Sequence, residues 1–129
     1  MPKTIVTKRF RLSAMHSLGN PDLTPDQNRE IFGPCFRLHG HDYKIDVSVT
    51  GSEESTGGLT VDRDALDHAV NETIIKPFNG TNLNNAFANT SGEALSLEFH
   101  ELILEALPDG IRLEKVTLVE TLRNTFVAE

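Results

Sequence analysis

Residues 35–49 constrain the fold of this chain more than any other segment. They read Cys35, three further residues, His39-Gly40-His41, and then apolar side chains at alternate positions. Alternate residues of a β-strand point to the same face, so the run predicts a strand with one buried face and with His39 and His41 side by side at its beginning. Two imidazoles on one face can bind the same metal ion. The segment therefore predicts a strand with a metal site at its mouth and a thiol just upstream.

A third histidine, His16, follows the first predicted strand, residues 4–12. Three imidazoles suit Zn²⁺ and leave its fourth position open to water or substrate, which is the arrangement of catalytic zinc sites. Cys35 then has two possible roles, a fourth ligand that closes the site or a free thiol that a nearby metal turns into a base or nucleophile. From the residues alone, a chance His-x-His pair and a buried structural cysteine remain alternatives.

Length and charge limit the classes of protein to consider. The 129 residues predict a single domain, residues 1–129. A formal net charge of -7 argues against a nucleic-acid or anionic-membrane partner. One cysteine cannot form an internal disulfide, and no apolar stretch is long enough to span a bilayer or to act as a signal core. We therefore expect a cytoplasmic domain with no nucleic-acid or membrane partner.

The hydrophobic periodicity predicts an α+β fold. Further strands are expected at residues 41–50, 59–61, 112–120 and 125–127. One helix is expected from Asp62 to just before Pro77, and a second is expected to open at Thr90 or Ser91 and to end at residues 108–110. Residues 17–34 predict a long loop with a short helical turn near residues 26–31. This order of elements favours an antiparallel sheet with two helices on one face.

Two carboxylates have alternative interpretations. Thr90 and Glu93 match a capping box at the start of the second helix, or Thr90, Ser91 or Glu93 contacts a ligand at that helix terminus. Glu120 ends an apolar strand, where it is either a solvated terminus or a carboxylate that accepts paired hydrogen bonds from an amidine-like ring edge. The residues alone leave both alternatives open.

Taken together, the motifs resemble the 6-pyruvoyltetrahydropterin synthase family, including the related 6-carboxytetrahydropterin synthase of queuosine biosynthesis. The resemblance runs from about residue 10 to residue 127. It rests on Ser13-Ala14-Met15-His16, the segment from Asn28 to Cys35, the Cys-x-x-x-His-Gly-His spacing, Gly58-Leu59-x-Val61-Asp62, Thr90–Glu93 and Val119-Glu120-Thr121.

The resemblance implies the tunnelling fold, an antiparallel four-stranded sheet with two helices on one face. In that family, trimers close a twelve-stranded barrel and two trimers stack as a hexamer with active sites between subunits. The chain is therefore expected to form a homo-oligomer, either a trimer or a dimer of trimers. The resemblance also implies Zn²⁺ bound by His16, His39 and His41, with Cys35 as the catalytic base.

The resemblance further implies a pterin substrate, most simply 7,8-dihydroneopterin triphosphate. The residues expected to bind it are Thr90, Ser91, Glu93 and Glu120, and Glu120 would anchor the guanidine-like edge of the ring. We therefore expect a zinc-dependent lyase. The alternatives are a divergent paralogue that cleaves the dihydroneopterin side chain, a zinc- and pterin-binding protein without turnover, and, with less support, a zinc-binding structural domain without pterin.

One segment departs from the family pattern. Asn79-Gly80 stands where the family has an Asp-His pair that completes a proton relay with the cysteine. Pro77 and Asn82-Leu83-Asn84 fix this alignment. Neither an amide nor a glycine can transfer protons near neutral pH, so the sequence predicts a slower or altered reaction.

Overall fold

Four antiparallel strands in chain order form the sheet that carries the functional site. The computed structural model describes residues 3–51 and 61–129. The strands are β1 (Val6–His16), β2 (His39–Gly51), β3 (Ile111–Val119) and β4 (Thr125–Ala128), and they are ordered β1-β2-β3-β4. The predicted four-stranded antiparallel sheet is thus confirmed. The predicted strand 59–61 and the turn before it lie outside the described residues, except for Val61, which lies in a bend.

The helices all belong to the connections between the strands. α1 (Pro25–Phe32) and a 3₁₀ turn (Gly33–Phe36) lie between β1 and β2. α2 begins at Arg63, runs through a π-helical turn (Asn71–Ile75) and ends with Lys76–Phe78. A 3₁₀ turn (Leu83–Asn85) and α3 (Gly92–Ala106) precede β3. Among the described residues, no helix is both long and apolar enough to cross a membrane.

The prediction that α2 stops before Pro77 is wrong. The helix continues to Phe78 because its π-helical turn widens the backbone, and the amide of Lys76 donates to the carbonyl of Asn71, five residues earlier. Pro77 then occupies the start of a new helical turn, where its missing N–H is tolerated. The widened turn therefore accommodates a proline that would otherwise end the helix.

The capping-box alternative for Thr90 and Glu93 is also excluded. Ser91 is the N-cap of α3, since its Oγ accepts from the Ala94 amide at 3.2 Å. The hydroxyl of Thr90 instead donates to the Ser17 carbonyl at 3.1 Å. The start of α3 is thereby tied to the chain that leaves β1.

One face of the sheet packs against α2 and α3 and forms the core. Its alternate side chains, which include Leu12, Tyr43 and Leu118, are fully buried together with Leu66 of α2 and Phe99 of α3. Burial of each such side chain contributes about 1.5–3 kcal/mol. Because the histidines of β1 and β2 continue the same alternation, the core face also becomes the face of the site.

Gly92 permits the close approach of α3 to β4. A Cβ atom at this position would lie 2.0 Å from Cε2 of the Phe126 ring. Replacement of Gly92 by alanine is therefore expected to lower the free energy of unfolding by roughly 1–3 kcal/mol through overpacking. Urea unfolding measures the effect. Glu98→Ala, at an exposed position of the same helix, is the control, and an unchanged midpoint for Gly92→Ala would contradict the predicted clash.

Candidate metal centre and active site

Three histidines meet at the end of the core face. The β1–β2 register places His16 opposite His39, and His41 lies two residues further along β2 on the same face. The ring centroids are 4.5 Å apart for His16 and His39, 5.0 Å for His16 and His41, and 4.9 Å for His39 and His41. One nitrogen from each ring lies within 4.8 Å of the others. The three predicted metal ligands are thus brought together.

Two backbone carbonyls set the orientation of the rings. Nδ1 of His16 donates to the Thr90 carbonyl at 2.8 Å, and Nδ1 of His39 donates to the Arg37 carbonyl at 2.7 Å. A carbonyl oxygen only accepts, so each Nδ1 carries the hydrogen and each Nε2 keeps a free lone pair. Metal-binding histidines commonly have such a carbonyl partner, which orients the ring. The donor set therefore fits a divalent metal such as zinc.

Burial favours the neutral form of two of these imidazoles. Desolvation lowers the pKa of His16, and the nearby His39 adds to the shift against the opposing effects of the Thr90 carbonyl and Glu120. Desolvation likewise lowers the pKa of His41. A neutral imidazole is the form that binds a metal ion. The fold thus holds these side chains ready for coordination at neutral pH.

The pKa shifts predict that the metal-free protein loses stability in mild acid. The folded-state pKa values of His16 and His41 lie below the ordinary 6.5, so the unfolded chain binds more protons as the pH falls below that value. The stabilisation is complete above pH 6.5 and is lost as the pH falls through the folded-state values. Urea unfolding in a chelator from pH 8 to pH 5 measures the slope. His16→Gln should reduce the slope, whereas His100→Gln, remote from the cluster, should not.

A cavity of about 460 Å³ opens beside the histidines. It brings the three histidines together with the predicted base Cys35 and the predicted ring anchor Glu120. Residues that the sequence interpretation did not select also line it: Leu18, Pro34, Arg37, Leu38, Thr121 and Asn124. Arg37 and Leu38 lie in the spacer between Cys35 and His39, and the last two follow Glu120, so proximity to the motifs was the available signal.

The 3₁₀ turn that follows α1 positions Cys35. Gly33 begins this turn with φ of 56°, a value that favours glycine. The amide of Leu18 donates to the Cys35 carbonyl at 2.8 Å, which fixes the thiol-bearing backbone to the chain after β1. The thiol is exposed. The alternative of a buried structural cysteine is therefore excluded, and the side chain is accessible to a ligand in the cavity.

Glu120 lies at the mouth of the core face rather than at a solvated strand end. Its side chain is only 13% exposed, and its Oε2 lies 4.0 Å from Nε2 of His16. The turn after β3 fixes its backbone, since the Glu120 amide donates to the Asn124 carbonyl at 3.0 Å. The Thr121 hydroxyl accepts from the amides of Arg123 and Asn124 in the same turn. The carboxylate is therefore held inside the cavity wall.

The other predicted substrate-binding residues have a different placement. Thr90 is buried behind His16, where its carbonyl orients the ring, and Ser91 caps α3. Glu93 is exposed in the first turn of α3. In residues 3–51 and 61–129 of a single chain, none of the three lines the cavity beside Cys35. Their contact with substrate remains a prediction.

Asn79 and Gly80 have structural contacts at the edge of β1. The Ser13 amide donates to Oδ1 of Asn79 at 3.0 Å, and the Gly80 amide donates to the Ser13 carbonyl at 2.6 Å. The Met15 amide donates to the Thr81 carbonyl at 2.9 Å, so the segment continues along the strand edge. Gly80 has φ of 77°, which favours glycine. This pair therefore supports the edge of the strand that ends in His16.

The fold and the cluster define a class of small α+β proteins that carry a three-histidine metal-type site, a cysteine and a carboxylate at one end of an antiparallel sheet. The family model for 6-pyruvoyl tetrahydropterin synthase matches residues 5–129. The chain belongs to that family.

Individual relatives agree with this assignment. A 6-pyruvoyl tetrahydrobiopterin synthase from Drosophila melanogaster is 32% identical over 118 residues, which cover 88% of this chain and 67% of the relative. One from Dictyostelium discoideum is 29% identical over 98% of this chain and 96% of the relative. The solved structure of the Caenorhabditis elegans 6-pyruvoyl tetrahydropterin synthase superposes with a TM-score of 0.88 at 25% identity, covering 100% of this chain and 96% of that one.

Proposed function

We propose that this chain is a zinc-dependent lyase that acts on a 7,8-dihydropterin, most simply 7,8-dihydroneopterin triphosphate. The observation that carries the proposal is the single cavity shared by three histidines, Cys35 and Glu120. Family membership supports the substrate class, since the relatives from Drosophila and Dictyostelium are 6-pyruvoyl tetrahydrobiopterin synthases.

His16, His39 and His41 would hold the zinc ion. Their nitrogens lie within 4.8 Å of one another, and the carbonyls behind His16 and His39 leave Nε2 of both rings facing away from the backbone. When bound, zinc would supply Lewis acidity beside the side-chain hydroxyls of the substrate. Cys35 stays outside this ligand set as a free thiol.

Cys35 and Glu120 would divide the remaining work. The Cys35 thiolate removes a proton from the pterin side chain, because it is exposed to the cavity on a backbone held by Leu18. The Glu120 carboxylate accepts paired hydrogen bonds from the amidine-like edge of the ring, which fixes the ring orientation relative to the thiol. Elimination of triphosphate or cleavage of the side chain follows from the same proton removal.

The proton taken by Cys35 leaves by a different path from that of the Asp-His relay. Asn79 is engaged with the Ser13 amide and Gly80 has no side chain, so neither receives it. The exposed thiol exchanges its proton with water directly. We therefore expect turnover to be slower than with an intact relay, because the usual contribution of a positioned acid or base is roughly 10²–10⁴-fold.

A homo-oligomer would complete the site. β1 and β4 are the two edges of the sheet, and unpaired strand edges favour pairing with another copy. Large apolar side chains are exposed near the cavity and the edges, among them Leu38, Leu122 and Val127. Pairing of edge strands between three copies would close a barrel and cover these side chains.

The decisive experiment is to incubate zinc-loaded protein with 7,8-dihydroneopterin triphosphate and to identify the products by mass. A 6-pyruvoyl or 6-carboxy pterin would support the synthase reaction. A 6-hydroxymethyl pterin would indicate side-chain cleavage. Unchanged substrate with zinc bound would contradict the proposed lyase activity.

The second candidate is a zinc- and pterin-binding protein without turnover. Structural use of Asn79 and Gly80 in place of a relay is the observation that favours it. Tight pterin binding without product, over a broad pH range and with added zinc, would support this candidate.

A further inference from the structure

The only tyrosine of the chain has an unusual position in the core. Tyr43 is fully buried, and its hydroxyl has no hydrogen-bond partner among the described residues. The neighbouring core positions along the same face of β2 are Ile45, Val47 and Val49. A buried hydroxyl without a partner is unfavourable, and phenylalanine would fill the same space without that cost. The hydroxyl therefore calls for an acceptor.

The sheet register places Glu120 beside Tyr43. Lys44 pairs with Val119 in the β2–β3 ladder, so Tyr43 and Glu120 are the next positions opposite one another. Both lie on the helix-covered face, since Tyr43 alternates with Ile45 on β2. Residues opposite one another in an antiparallel pair have Cβ atoms roughly 4.5–5.5 Å apart.

Glu120 is an acceptor without a donor. None of the described residues donates a hydrogen bond to its carboxylate, and the contact recorded for it is Nε2 of His16 at 4.0 Å. That nitrogen carries no hydrogen, because Nδ1 of the same ring donates to the Thr90 carbonyl. An unpaired donor and an unpaired acceptor thus occupy neighbouring positions on one face of the sheet.

We propose that Tyr43 is a positioning residue for Glu120, its hydroxyl donating to the carboxylate directly or through one buried water. One carboxylate oxygen is then held by the sheet, and the other faces the cavity. For a pterin ligand, and so resting on the proposed function, this fixes the acceptor that receives the amidine-like edge of the ring. Tyr43 acts through Glu120 and does not itself line the cavity.

The test compares Tyr43→Phe with wild-type protein, both zinc-loaded. The probe is neopterin, an oxidised and fluorescent pterin that the protein cannot turn over. Loss of a hydrogen bond to a charged acceptor should weaken neopterin binding roughly 5- to 30-fold. Lumazine, in which oxygen replaces the ring amino group, should lose much less affinity. An unchanged neopterin dissociation constant would overturn the proposal.

Ile45→Val is the matched packing control. It removes one methylene group from the next buried position of the same strand face. It should lower stability modestly and leave neopterin binding unchanged. If Ile45→Val weakened neopterin as much as Tyr43→Phe, the effect would be one of packing and the proposal would fail.

A stability cycle separates this proposal from the proposed function. If wild-type protein does not bind neopterin, pterin recognition fails, and the pair is then judged by urea unfolding of Tyr43→Phe, Glu120→Ala and the double variant. Non-additive changes would support the hydrogen bond. Additive changes, with Tyr43→Phe more stable than wild type, would show an orphan hydroxyl and overturn the proposal.

Discussion

Replacement of Cys35 by serine is expected to lower turnover by roughly 10²–10⁴-fold, the usual contribution of a positioned acid or base. A serine hydroxyl keeps the size of the side chain but does not ionise near neutral pH. Stability and zinc content should stay unchanged, because the Cys35 side chain is exposed and the three histidines form the metal-type cluster without it. Steady-state rates with 7,8-dihydroneopterin triphosphate, together with zinc analysis of the purified variant, measure both expectations.

The single cysteine provides an independent control for this prediction. Iodoacetamide can alkylate only one thiol in the chain, so inactivation should follow modification of Cys35 one to one. Neopterin in the cavity should slow the modification, since Cys35 lines it. Full activity of the Cys35→Ser variant or of the alkylated protein would contradict a role as base. Loss of zinc from the variant would instead indicate that the thiol is a ligand.

Replacement of His39 by alanine is expected to abolish tight zinc binding and to lower turnover by at least roughly 10²–10³-fold, because metal ions contribute several kcal/mol of charge stabilisation. His39 is a better choice than His16, which is 1% exposed and tied to the Thr90 carbonyl. Loss of His16 would therefore also disturb the core. Zinc content and competition with a chromogenic chelator measure the affinity, and product formation measures the rate.

His68→Ala is the matched control for the metal prediction. His68 lies on the exposed side of α2 and is not part of the histidine cluster. It should keep one zinc ion per chain and full activity. Tight zinc binding by His39→Ala, or activity that survives thorough chelation of the wild-type protein, would contradict a three-histidine catalytic zinc site.

The sequence was informative where local periodicity and local spacing decide the structure. The alternation through β2 predicted both its burial and the shared face of His39 and His41. Three- and four-residue spacing predicted α2 and α3, and Ser91 was one of the two predicted starts of α3. The extension of β1 to His16 was not predicted, because pairing of residues 13–15 with residues 79–81 supports the end of this strand.

Contacts between distant parts of the chain explain the other differences. The role of Thr90 behind His16 depends on how α3 docks, and the passage of α2 through Pro77 depends on a π-helical turn with no clear sequence signal. Asn79 is indistinguishable from a solvated loop residue until its contact with the Ser13 amide is seen. Each of these contacts joins segments that local patterns treat separately.

By itself the sequence determined that a strand begins with two histidines on one face and that a thiol precedes them, because both properties follow from spacing within a few residues. Its motifs also indicated the family. Only the tertiary structure decided that His16 joins the pair, that Glu120 enters the same cavity, and that Tyr43 lies opposite Glu120 without a hydrogen-bond partner. These depend on the register between strands far apart in the chain, where a shift of one residue would turn the side chains to the other face of the sheet.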